Sequence, residues 1–101
     1  MSQHIFFAKE NTDKPLRIVM GYDRFLDYFF CTVDDCKGNV KYSNLSDRKA
    51  GTDLKDANYF VRLLKSKFGI QVPKRILLEV EMDRETGGSN RTIVWDERKG
   101  A

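Results

Sequence analysis

The chain has 101 residues, 41% hydrophobic and 33% charged, with a net charge of +3. That length makes one domain, too small to bury a large cofactor beside its own core, and the charge is too mild to mark a nucleic-acid binder by itself. No stretch approaches the ~20 apolar residues of a membrane span, the amino terminus lacks a signal-peptide pattern, and the two cysteines, Cys31 and Cys36, are too few for a disulfide framework.

The expectation is a reduced, cytoplasmic protein, a single domain with its ordered core over residues 4–97. His4–Glu10 reads as a short strand, because Phe6 and Phe7 suit a pleated surface. After the polar loop that Pro15 ends, Leu16, Ile18 and Met20 alternate with Arg17 and Val19 in a second strand. The polar knot Gly21-Tyr22-Asp23-Arg24 interrupts the apolar runs. Gly21 admits a turn that other residues resist, and Asp23 can accept nearby backbone N–H groups. Arg24 is free to pair with Asp23 or Asp27, or to reach the Tyr42-Ser43-Asn44 segment. Leu26–Val33 is the clearest strand, and Lys37-Gly38 or Gly38-Asn39 can supply the positive φ of the hairpin that follows. Val40 and Tyr42 alternate with Lys41 in the returning strand.

A loop leads to a predicted helix over Thr52–Gly69, where Leu54, Ala57, Val61, Leu64 and Phe68 recur at helical spacing. Asp53 or Thr52 serves as N-cap, and Gly69 stops it. Pro73 opens a second helix that runs to Gly87-Gly88, and Arg91–Glu97 reads as a last strand. The order β-β-β-β-α-α-β predicts an α+β fold: an antiparallel sheet of four to five strands with both helices on one face. In the third strand Phe29, Cys31 and Val33 point one way, Tyr28 and Phe30 the other. Two helices cover only one face. The second aromatic face is then packed by the N-terminal strand or presented to another copy, and a homodimer is the expectation.

Little catalytic chemistry is on offer. His4 is the single histidine and no CxxC pair occurs, so neither a metal site nor a histidine-based nucleophile is expected, and no cofactor is implied. The aspartate pairs Asp34-Asp35 and Asp23/Asp27 read as turn residues. The Glu85–Thr92 segment reads as a helix cap and connector, with an anion-binding nest before Arg91 as the other option. The charge distribution says more. No acid occurs from Ala57 to Leu78, and Lys55, Arg62, Lys65, Lys67, Lys74 and Arg75 form a candidate phosphate-binding surface. Tyr59 is the one aromatic in that patch suited to stacking on a base.

The segments "MGYDRFLDYFFCTV", "YSNL", "FGIQVP" and "GGSNRTIV" resemble a group of small bacterial proteins, some carried on plasmids, over roughly Met20 to Val94. The pattern is carried by Gly21, Asp23, Arg24, Leu26, Phe29, Phe30, Tyr42, Ser43, Asn44, Leu45, Gly69, Ile70, Pro73, Asn90, Arg91 and Val94. It departs at Phe25, where proline is usual, and at Ser89, where glycine is usual. The resemblance implies a compact α+β fold, a role as a DNA-binding or plasmid-maintenance accessory, and no established reaction. It also groups Asp23, Arg24, Ser43, Asn44, Asn90 and Arg91 in three loops that a sheet can bring to one rim, as a structural cluster or a binding site. The leading expectation is a dimeric, non-enzymatic DNA-binding accessory. The alternative is a protein-interaction module using the aromatic sheet face or that rim. A third reading is an enzyme acting on a small anion through Asp23, Arg24, Asn90 and Arg91.

Overall fold

Five strands form one sheet in the order β4-β3-β2-β1-β5. They are β1 Ser2–Lys9, β2 Pro15–Asp23, β3 Tyr28–Asp34, β4 Val40–Ser43 and β5 Arg91–Val94. Two helices, α1 Asn58–Phe68 and α2 Lys74–Glu85, lie between β4 and β5 in the chain. This computed structural model describes residues 1–9, 15–50, 54–87 and 90–95. The expected α+β architecture is present, with one difference in the sheet. β1 to β4 pair antiparallel, but β5 runs parallel to β1, with Ser2 opposite Arg91 and Ile5 opposite Val94. The reason lies in the helical pair. α2 returns the chain to the end of the sheet where β1 begins, so β5 must start there and run beside it.

The core lies on one face, under both helices. Phe6, Leu16, Ile18, Met20, Tyr22, Phe29, Cys31 and Val33 project there from the three central strands at every second position. Phe60 and Leu64 of α1 and Ile76 and Val80 of α2 close over them. α1 ends as predicted. Gly69 takes φ 68°, its N–H reaches the Lys65 carbonyl, and the Ile70 N–H reaches that of Leu64.

Several boundaries differ from the sequence expectation. α1 begins at Asn58 because the Leu54 carbonyl is taken by the N–H of Phe29 at 2.9 Å, which holds the approach as a strand-side connector. Asp56, not a residue near 53, accepts the Asn58 N–H at 3.0 Å. Thr52 and Asp53 fall outside the described residues, as do Asp96 and Glu97 of the predicted last strand. Leu26 stands in the turn before β3 and is exposed. In the β3–β4 connection the positive φ angles belong to Cys36 and Gly38. Asp35 accepts the N–H groups of Lys37 and Asn39 and the Asn39 side-chain amide, and these bonds push its pKa down to about 2.

Gly21 is a strand residue, not the corner the sequence suggests. It faces Gln3 on one side and Phe30 on the other. A Cβ there would land on the Ser2 carbonyl oxygen and 2.7 Å from Cζ of Phe30. Its requirement is therefore space, because the Ser2 carbonyl of β1 and the Phe30 ring of β3 both press on the bare backbone. Gly21→Ala is expected to destabilise the fold by about 1–3 kcal/mol, the usual cost of overpacking. A urea titration checks it: the midpoint should fall with the slope unchanged.

Candidate functional site

The polar knot resolves into a braced turn. Asp23 Oδ1 accepts the N–H groups of Phe25 and Leu26 at 2.9 and 3.3 Å, an Asx-turn that closes residues 23–26. Asp27 then takes φ 52°. Its carboxylate accepts the Tyr22 hydroxyl at 2.5 Å and pairs with Lys55 at 3.2 Å and Arg84 at 3.4 Å. The Tyr22 and Lys55 bonds hold the Asp27 carboxyl below its ordinary pKa, and the bond to Asp27 raises that of Tyr22. Lys55 also donates to the Asp27 carbonyl. Arg24 makes none of the predicted pairings: it is exposed, with its guanidinium 5.6 Å from the centre of the Phe25 ring.

Beside this turn lies a cleft of about 240 Å³ lined by Phe29, Lys55, Asp56, Ala57, Glu81, Arg84 and Glu85. Its two cations, Lys55 and Arg84, are both engaged with Asp27. Beside it the Arg84 guanidinium donates to the Lys55 carbonyl at 3.3 Å, tying the end of α2 to the entry of α1.

The other two polar loops are braces as well. Ser43 Oγ accepts the Leu45 N–H at 3.2 Å, and buried Asn44 accepts the Cys31 N–H at 3.2 Å, tying the short 3₁₀ turn Asn44–Ser46 to β3. Exposed Asn90 accepts from the N-terminal ammonium group. Arg91 grips Asp83 through Nε at 3.1 Å and a terminal nitrogen at 2.6 Å, and also bonds Glu79 at 2.9 Å. Asp23, Asn44 and Arg91 sit on or beside β2, β4 and β5, strands separated in each case by another strand. Alternate strands lie ~10 Å apart, so each group serves its own neighbourhood.

Sequence reasoning missed the most deeply buried polar cluster. His4, the single histidine, is 0% exposed, and its Nε2 lies 2.7 Å from Asp83 Oδ2. The Trp95 indole, which can only donate, gives its N–H to His4 Nδ1 at 3.1 Å. That contact assigns the proton to Nε2, which donates to Asp83. Bonds from Ser2, His4 and Arg91 outweigh desolvation and hold the Asp83 carboxyl below its ordinary pKa. One signal was available: Ile76, Val80 and Asp83 fall on one helical stripe, so the acid stands where a core residue belongs.

The six predicted phosphate-binding side chains divide. Lys55 is spent on Asp27, and Arg62 pairs with Asp56 at 3.5 Å. Lys65, Lys67, Lys74 and Arg75 have no ion-pair partner among the described residues. Lys67 stands 5.6 Å over the Tyr42 ring on β4, and Arg75 stands 5.7 Å over Trp95, just past β5. The four thus string across the helical turn from one edge strand toward the other. Tyr59 is not open for stacking, since its hydroxyl donates to Asp47 at 2.6 Å and its ring packs on Phe60.

Both cysteines are free, and burial pushes the Cys31 thiol well up. Among the described residues no His, Cys, Asp and Glu group could hold a metal ion, and no helix is long and apolar enough to cross a membrane. Comparison with known proteins found no matching family model, no similar curated protein and no similar solved structure.

Two outcomes test the buried cluster. Arg91→Ala should cost roughly 1.5–3 kcal/mol, the range for a hydrogen bond to a charged group, measured by chemical denaturation. The pH dependence follows from Asp83. Its depressed folded pKa means that the unfolded chain binds its proton first, near pH ~4. The stability it supplies is complete above that pH and drains as pH falls through the folded value, a loss that Asp83→Asn should reduce. Separately, a thiol reagent should titrate Cys36 in the native protein and Cys31 only after denaturation. Rapid native reaction of both would show that Cys31 is not sealed.

Proposed function

We propose that this protein acts by binding and not by catalysis, as a small cytoplasmic, plasmid-associated accessory that contacts the phosphates of duplex DNA. The observation that carries the reading is the placement of Lys74 and Arg75. They occupy the first turn of α2, where the helix dipole is positive and cations are unfavourable. Lys65 and Lys67 close α1 on the other side of the same turn. Helix stability accounts for the α1 pair, but not for the α2 pair. Four like charges around one turn, at an α2 amino end that no side chain caps, suit a phosphate backbone. The resemblance to plasmid-borne bacterial proteins points the same way.

Titration of a short duplex at several salt concentrations tests this. Four phosphate contacts predict log K falling with log salt at a slope of about −3.6. Lys65→Ala/Lys74→Ala should lower that slope by about 2 and weaken all sequences alike. Absence of binding at low salt overturns the reading.

A second reading, contact with protein through the sheet face opposite the helices, rests on a different observation. Phe7 and Val94 are 42% and 61% exposed on that face. The aromatic pair that first suggested such a surface is not itself available. Tyr28 and Phe30 are 8% and 9% exposed, with their rings tilted against each other and, for Phe30, packed over Gly21.

A further inference from the structure

Deepening the protein-contact reading, on which it rests, we infer that the uncovered sheet face pairs with the same face of a second copy of this chain. In register across four adjacent strands, Val94, Ile5, Val19 and Thr32 form one continuous row. Phe7 extends the apolar surface on the same side of β1. Such a surface on a domain of this size is of the kind that marks a contact site.

Charge selects the occupant. The charged pair at the end of this face, Arg17 and Asp34, is neutralised internally at 2.9 Å, and the cross-sheet row is entirely uncharged. Exposed Lys41 stands apart on the edge strand β4, and the row itself offers nothing to a phosphate backbone or an acidic peptide. Two copies meeting there oppose no like charges along the row. Area agrees. The five strands together hold 32 residues, which at ~3.3 Å rise and ~4.8 Å strand spacing give a projected face of ~500 Å², and side-chain relief raises this toward the ~600 Å² per partner at the lower end of specific interfaces. The edges are poorer candidates. β4 and β5 are four residues each, and β3–β4 pairing shifts register between Val33 and Asp34. The copies therefore stack as a two-sheet sandwich, ~10 Å apart.

Light scattering on the full chain tests this. The wild type should have twice the 11.8 kDa chain mass. Phe7→Lys/Val94→Lys should have the single-chain mass with an unchanged far-ultraviolet circular dichroism spectrum. If that variant does not fold, Thr92→Lys, an exposed position on the same face of β5, should separate the copies in its place. A double mass that persists in a folded lysine variant overturns the sheet-to-sheet pairing. A single mass for the wild type also overturns it. In that case an apolar fluorescent dye separates the two readings: binding that is lost in the lysine variant leaves the face open to a different protein, and no binding removes the protein-contact reading with it.

Discussion

The carboxylate of Asp83 is the constraint around which the fold is arranged. It is 2% exposed, and a charge so far from water is tolerated only when its oxygens are fully bonded. Its partners come from distant parts of the chain: Ser2 and His4 from the first strand, and Arg91 from the last. Satisfying one helical side chain therefore sets where β1 and β5 lie against α2. The parallel pairing of those two strands, the one exception in an otherwise antiparallel sheet, brings His4 and Arg91 to the same acid. Trp95 completes the arrangement by fixing the histidine tautomer.

Local pattern revealed much of the architecture, and nonlocal bonds account for most of what it hid. Alternation in β2 and β3 identified the inward residues, and the stripe through Leu64 and Phe68 with Gly69 behind it located the end of α1. The start of α1 was illegible because the Leu54 carbonyl is captured by Phe29, a bond between segments 25 residues apart that no helical periodicity encodes. Gly21 misled for a related reason. A glycine in a polar Gly-Tyr-Asp-Arg run reads as a turn, and only the Ser2 carbonyl and the Phe30 ring on the two neighbouring strands explain why a side chain is excluded. The polar residues Asp23, Asn44 and Arg91 were recognisable as important, but their roles as separate braces depend on strand order, which the sequence does not display.

Charge is partitioned in the same spirit. Acidic side chains along the second half of α2 are occupied with Arg91 or gathered near the turn at Asp27, whereas the opposite end of the helical pair is cationic. The dipole of α2 opposes this polarity at Lys74 and Arg75. That disagreement between local stability and residue choice is the sort of inconsistency that concentrates where a surface has a task besides folding. The uncharged row of the sheet lies on the face away from the helices, so a contact there leaves the cationic turn open. The two surfaces can be used together.

The lone tryptophan has a practical consequence. Its ring stacks 6.1 Å from that of His4 while its nitrogen bonds the same histidine. Its emission therefore watches a single locality, the seam where β1 and β5 are clasped to α2. Any event that peels that seam apart while the hairpins stay folded registers as a change in indole light with little change in backbone ellipticity. The molecule thus carries its own gauge for distinguishing the undoing of its margin from the collapse of its centre.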